Sequence, residues 1–249
     1  MNGADALLVP DWPAPPNVRA CVTTRLVAGH SSAPFDRFNL GARCGDEPQA
    51  VAANRMALSA LLDLPASPRW LRQVHGVGVH DARSARGEEV EPEADAACTH
   101  EAGVVLAVLT ADCLPVLFCS DDGSVVAVAH AGWRGLAAGV LEATLARMAV
   151  APACVCAWLG PAIGAPSYEV GEDVRAAFVA QDADAAAQFS ASRAGHWWCD
   201  LAGLARRRLA AIGVRSLHGG GFDTRTDPRF YSFRRDPTTG RFASLIWRT

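Results

Sequence analysis

The stretch Thr110-Ala-Asp-Cys-Leu-Pro-Val-Leu-Phe-Cys-Ser-Asp-Asp-Gly-Ser-Val-Val-Ala-Val-Ala-His-Ala-Gly-Trp-Arg-Gly135 constrains this chain more than any other. Two apolar runs, Leu114 to Cys119 and Ser124 to Ala129, flank the turn signal Asp121-Asp122-Gly123. That pattern predicts a β-hairpin. With the turn centred near residue 122, Cys113 and His130 fall opposite each other to within a residue or two. Directly opposed residues share a face of the sheet with Cβ atoms roughly 4.5–5.5 Å apart. The spacing suits two ligands of one ion, since Zn–S is about 2.3 Å and Zn–N about 2.0–2.1 Å.

A third ligand must come from elsewhere. His75, in Trp70-Leu-Arg-Gln-Val-His-Gly76, is the candidate, because the glycine after it releases the backbone from a strand. One Cys and two His leave a tetrahedral ion one position open, which marks a catalytic rather than a structural zinc site. The other histidines, His30, His80, His100, His196 and His218, lie in polar or turn segments without a paired ligand. Cys154 and Cys156 alternate on one strand with no His or Cys nearby to complete a site, and Cys21, Cys44, Cys98, Cys119 and Cys199 read as packing residues.

The 249 residues contain no Pro-, Gly- or Ser-rich linker, so residues 1–249 read as a single domain, and a chain that is 50% hydrophobic can bury a sizeable core. Apart from the first few residues, nothing reads as disordered. A net charge of −3 with scattered arginines leaves no nucleic-acid footprint. The N-terminus has no basic region before its short apolar run, and no later run is long enough to span a bilayer. The expectation is a cytoplasmic protein with its eight cysteines reduced and no membrane contact.

Along the chain, 17–24 reads as a strand, 25–39 as a long loop and 47–62 as a helix ending before Pro65. Residues 70–81 predict a strand interrupted at His75-Gly76, and 82–100 a polar surface loop. The continuous apolar run 103–109 predicts a strand covered on both faces. Gly132 opens a predicted helix that runs to Met148. Its glycine-rich start either offers backbone N–H groups to an anion or permits close helix packing. Strand 154–159, helices 173–178 and 201–212, and strand 214–217 follow; Arg206, Arg207 and Arg208 read as a solvated face. A second hairpin is predicted from 230–236 and 242–247 around Thr238-Thr-Gly-Arg241. Without a regular βαβ rhythm, the class is α+β, mixed β-sheets packed with outer α-helices.

Around the hairpin, Arg72 and Arg134 are the cations placed to meet an anionic substrate. Asp112 would point away from Cys113 on an extended strand and serve structural hydrogen bonding, unless Thr110 to Cys113 turns.

Leu71-Arg-Gln-Val-His-Gly, Thr110-Ala-Asp-Cys-Leu-Pro-Val-Leu-Phe, His130-Ala-Gly-Trp-Arg-Gly, Gly160-Pro-Ala-Ile-Gly and Ser232-Phe-Arg-Arg-Asp together resemble the YfiH family, also called the laccase-domain or peptidoglycan-editing-factor family. Thr23-Thr-Arg and Asn39-Leu-Gly extend the resemblance over nearly the whole chain. It implies one domain of β-sheets with outer helices and a zinc ion on His75, Cys113 and His130, copper being a substitute. It also brings in Arg25 and Asn39 as weaker substrate candidates. Where similar members often carry a cysteine after the late Gly-Gly turn, this chain has Gly221-Phe-Asp-Thr, with Asp223 nearest that position.

Three activities compete. The first is zinc-dependent purine nucleoside phosphorolysis, in which adenosine or inosine and phosphate give the base and ribose 1-phosphate, with adenosine deamination as a second activity. The second is hydrolytic editing of peptidoglycan precursors, with Cys113 as nucleophile and His130 as base. The third is copper-dependent polyphenol oxidation. Multicopper centres consume many histidines, commonly as His-x-His pairs, whereas this chain has seven, none two residues apart.

Overall fold

The computed structural model describes residues 6–83 and 91–249. In chain order the first strands and helix are β1 (Leu7–Leu8), β2 (Val18–Thr23), α1 (Pro48–Leu61), β3 (Val79–Asp81), β4 (Ala96–Thr99), β5 (Leu106–Thr110), β6 (Leu114–Ser120) and β7 (Val126–Ala131). There follow α2 (Trp133–Ala138), α3 (Val140–Met148), β8 (Val155–Leu159), β9 (Glu169–Gly171) and α4 (Glu172–Val179). The last are β10 (Phe189–Ala191), β11 (His196–Cys199), α5 (Leu201–Ala211), β12 (Ser216–Gly219) and β13 (Phe242–Arg248).

These strands form a six-stranded sheet ordered β12-β8-β6-β7-β4-β3, a four-stranded sheet ordered β1-β2-β13-β5 and a small sheet ordered β10-β11-β9. The predicted α+β class is what the chain adopts. Alternation along each strand decides the layering. On the six-stranded sheet, Leu117, Cys119, Val126 and Val128 turn toward Val22, Leu106, Val108 and Ile246 of the four-stranded sheet, making one dry core between the two. Their neighbours Val116, Phe118, Ala127 and Ala129 turn the other way, toward Leu141 and Leu145 of α3 and Leu204 and Leu209 of α5. A strand buried on both faces has no polar positions to alternate with, which is why β5, β6 and β7 read as unbroken apolar runs. On the outer face of the four-stranded sheet, Leu58 of α1 joins Ala107, Leu245 and Trp247. Proline at the start of α1 costs no hydrogen bond there. Among the described residues no helix is long and apolar enough to cross a membrane.

Four expectations about the elements need correction. The segment 82–100 is not a surface loop throughout: its residues 84–90 lie outside the described ones, but Ala96–Thr99 is β4, fully buried between β7 and β3. Ala-Ala-Cys-Thr is too short and too small to stand out, and the acidic residues before it masked it. The strand expected over 70–81 shrinks to β3, with isolated bridges at Arg69 and Arg72. The helix from Gly132 breaks in two at Gly139, whose φ of 102° is left-handed. The second hairpin expected around Thr238-Thr-Gly-Arg241 does not form. β13 pairs with β2 and β5, while 230–236 forms no strand. Pairing with distant strands leaves no local sequence mark.

The small sheet of β9, β10 and β11 leaves no mark in the sequence, because three- and four-residue strands carry no usable period. Arg206, Arg207 and Arg208 are also more engaged than a solvated face: Arg206 donates to the Leu217 and Gly219 carbonyls, Arg207 pairs with Asp182 and Arg208 with Glu142.

Candidate metal centre and active-site cleft

The first hairpin forms as its turn signal predicts, with Leu114 opposite Ala131 and Pro115 opposite His130. His130 therefore lies diagonal to Cys113, which sits one residue before β6. Cys113 is placed by a crossing. The chain leaves the four-stranded sheet at the end of β5, turns at Asp112 with φ of 92°, and enters the six-stranded sheet at Leu114. This turn is fixed by the Asp112 carboxylate, which accepts from Thr224 Oγ1 at 2.7 Å and from the Arg234 N–H at 2.7 Å. With both oxygens engaged and the side chain buried, Asp112 holds the loop rather than a substrate proton.

His75 reaches the same place from a different loop. Its φ is 61°, an unusual value that His tolerates better than most residues. The reason is Asp95. Its carboxylate accepts the successive backbone N–H groups of Val74 at 3.1 Å, His75 at 2.9 Å and Gly76 at 2.7 Å. Such a run of N–H groups around an anion is a nest. The same carboxylate lies 2.8 Å from His130 Nδ1, and the Asp95 carbonyl accepts the His130 N–H at 2.7 Å. One fully buried acid thus sets the backbone of one histidine and the ring of the other. Because Nδ1 of His130 is committed to Asp95, Nε2 is left for the site. A carboxylate behind a ligating imidazole is the usual way to fix its tautomer and raise its basicity.

Asp95 was missed in the sequence because it lies in the stretch read as surface loop. The only available signal was the Ala-Asp-Ala-Ala-Cys run itself, an acid among small apolar residues.

The ligand-capable atoms of His75, Cys113 and His130 all lie within 4.8 Å of one another, with Cys113 Sγ to His75 Nε2 at 3.9 Å. His130 is buried, Cys113 half-buried and His75 exposed, so the cluster is closed behind and open in front. The rings of His75 and His130 meet edge to face at 4.8 Å. Glycine is required where α2 starts. A Cβ on Gly132 would stand 2.8 Å from His75 Cδ2 and 3.1 Å from Cys113 Sγ, and one on Gly135 would stand 2.8 Å from the Gly76 carbonyl. Of the two roles open to these glycines, close packing is the one the geometry uses.

Electrostatics favour the ionised thiol. Burial works against the Cys113 thiolate, but the His130 charge and hydrogen bonds from both histidines outweigh it and bring the thiol down to about 6. Burial likewise opposes a charged His130; the Cys113 thiolate and Asp95 overcome it and lift the imidazole to about 9. A divalent cation is the natural replacement for the proton shared by such a set. Thiolate and two imidazoles, converging within a few ångströms and with one orienting carboxylate behind, fit a metal ion.

The cluster floors a cleft of about 550 Å³, within the range of small-molecule sites. Arg134 lines it, its guanidinium 4.5 Å from the Trp133 ring centroid. Arg72 does not: it is exposed and paired with Glu93. Arg25 is also outside the lining, paired with Asp36 and stacked on Tyr231. Asn39 is buried behind the wall. Its Oδ1 accepts from the N–H of Gly41 at 2.9 Å and of Arg241 at 2.8 Å, both residues of the lining. Gln73, Tyr168, Phe233, Arg234 and Arg241 also line the cleft and are not candidates from the sequence. Gln73 brackets Leu109 with two 2.8 Å hydrogen bonds, latching the His75 loop to β5.

Asp223, at the position nearest the expected family cysteine, accepts from Gly164 N–H and Ser167 Oγ and so ties down the loop that carries Ile163 and Tyr168. Cys156, expected to stand without a partner, is in register with Cys119 and takes a 3.3 Å contact from Ser216 Oγ.

Residues 19–249 match the family described as multi-copper polyphenol oxidoreductase laccase. The chain is 53% identical to a protein of Xylella fastidiosa named purine nucleoside phosphorylase, over 97% of this chain and 96% of that one. It is 51% identical to purine nucleoside phosphorylase YfiH of Escherichia coli strain K12, over 97% of this chain and 98% of the other. A solved protein of Neisseria meningitidis superposes with a TM-score of 0.93 at 45% identity, covering 98% of this chain and 99% of its own.

Proposed function

The chain belongs to the YfiH family of laccase-like proteins, and on that premise we propose that it is a metal-dependent purine nucleoside phosphorylase acting on inosine or adenosine, with its ion held by His75, Cys113 and His130. The observation that carries the activity is full-length similarity to proteins that bear that name. Among divalent ions the donor set favours zinc, since one soft thiolate with two imidazoles in an open three-ligand arrangement is a zinc-type site; copper is the ion best able to substitute. When bound, the ion supplies a Lewis acid at the floor of the cleft. The same pocket would serve adenosine deamination as a second activity.

In the reaction a phosphate oxygen forms a bond to C1′ of the ribose while the C1′–N9 bond breaks, its electron pair leaving with the purine. The hydrogen of HPO4²⁻ ends on the released base. The chain's own residues supply three things. Arg134, its guanidinium over the Trp133 ring, offers a fork of N–H donors to the oxyanion. Burial pushes the Tyr168 phenol up, so at neutral pH it faces the cleft as an O–H donor. Thr110 Oγ1, also in the lining and buried, has no partner among the described residues. An unmade hydrogen bond of that kind costs roughly 1–3 kcal/mol, which a bound ribose or phosphate hydroxyl would recover.

The test is to incubate the purified protein with inosine, with and without phosphate, and identify the sugar product while following alkylation of Cys113. Phosphate-dependent formation of ribose 1-phosphate, with Cys113 shielded from alkylation until the metal is stripped, is the expected result. Free ribose released at the same rate without phosphate, or rapid alkylation of Cys113 in the metal-loaded protein, would point to the cysteine hydrolase instead.

A further inference from the structure

Four arginines line the cleft, Arg43, Arg134, Arg234 and Arg241, against a single acid, Asp112. That acid is spent on Thr224 and the Arg234 N–H. Arg43 pairs with Glu91, which it shares with Arg55. Among the described residues no carboxylate pairs with Arg134, Arg234 or Arg241. A purine nucleoside is neutral, so it gives this uncompensated charge nothing to bind. The anionic co-substrate does.

Two of the three rest on aromatic rings of the cleft lining, Arg134 over Trp133 at 4.5 Å and Arg234 over Tyr168 at 5.0 Å. Arg234 is fixed further. Its backbone N–H is held by Asp112, and Nη1 donates to the Glu169 carbonyl at 3.0 Å, leaving Nε and Nη2 available. Arg241 stands apart, its Nη1 bonded to the carbonyls of Thr239 and Gly240 and its stem packed on Gly41. A guanidinium resting on an aromatic face keeps its charge and loses little entropy when an oxyanion arrives.

Resting on the phosphorylase reading, we propose that Arg134 and Arg234 together form the phosphate subsite, gripping the dianion from their places over Trp133 and Tyr168 while the nucleoside occupies the remainder of the cleft. Arg234 was not a sequence candidate, and Arg72, which was, is paired outside the cleft. The subsite couples to the loop crossing at Cys113, because Asp112 fixes both that turn and the Arg234 backbone.

The experiment uses the full-length, metal-loaded protein and inorganic phosphate. Phosphate binding without nucleoside is measured by equilibrium dialysis, and KM is measured separately for phosphate and inosine, for Arg134→Gln, Arg234→Gln, the double variant and the two lysine variants. Charge-assisted hydrogen bonds of this type are worth a roughly 10- to 100-fold change each, so each glutamine variant should raise the phosphate KM and weaken phosphate binding by about that factor while the inosine KM moves by less than about threefold. Lysine should recover only part of the loss, since it keeps the charge and lacks the fork. A double variant that binds phosphate as tightly as the natural protein, or single variants that raise only the inosine KM, would overturn the subsite and leave phosphorolysis standing. A natural protein that binds phosphate through these arginines and yet forms no ribose 1-phosphate would support the subsite and overturn the phosphorylase reading.

Discussion

Replacing Asp95 by alanine is expected to cost on the order of 3–5 kcal/mol of stability, the scale for breaking a buried charged pair, and to abolish tight metal binding. The loss has several parts. Three backbone N–H groups around His75 and the buried His130 Nδ1 would all lose their acceptor. The buried His130 Nδ1 left unsatisfied costs roughly 1–3 kcal/mol, and the part-buried N–H groups add less. Without the nest, nothing compensates the positive φ of His75, and its imidazole is free to leave the cluster. Asp95→Asn separates orientation from folding. Asparagine keeps the shape and one acceptor oxygen, so that variant should fold while its metal affinity drops about 10- to 100-fold, the usual penalty for losing a carboxylate behind a ligating histidine. Thermal unfolding and a metal titration on both variants check this. An Asp95→Asn protein with natural metal affinity would show that the acid serves the backbone alone.

The second large effect concerns the ligands themselves. Cys113→Ala and His130→Ala are each expected to lose the ion and, with it, phosphorolysis. Yet they should fold, because the cluster stands at the mouth between two sheets whose cores do not include it. Elemental analysis and circular dichroism on the same samples decide the point. Full metal content in either variant would remove that residue from the ligand set, and a collapse of the dichroism would make the ion a structural brace.

How much of this was legible in the sequence follows from where the interactions lie. The hairpin carrying His130 is local, eight residues of turn and register on each side, and its period and turn residues announce it. The three metal-capable residues were legible for that reason, with His75 marked by its glycine. Asp95 was not, since its role depends on β4 lying between β3 and β7, and four small residues have no period. The phosphate subsite was half legible. Arg134 follows His130 by four residues, whereas Arg234 arrives from the far end of the chain and is positioned by Asp112, 122 residues earlier. Asn39 illustrates a different gap. Only the family resemblance makes it a weaker substrate candidate, and the structure places it one layer behind the lining, holding Gly41 and Arg241.

The most direct measurement is a reconstitution. Metal-stripped protein is titrated with zinc, and ribose 1-phosphate formation from inosine and phosphate is followed against zinc bound per chain. Activity should be absent at the start, rise linearly and level off at about one equivalent, as a single three-ligand site requires. Full activity in the stripped protein, or a plateau reached only after several copper ions are added, would contradict the account.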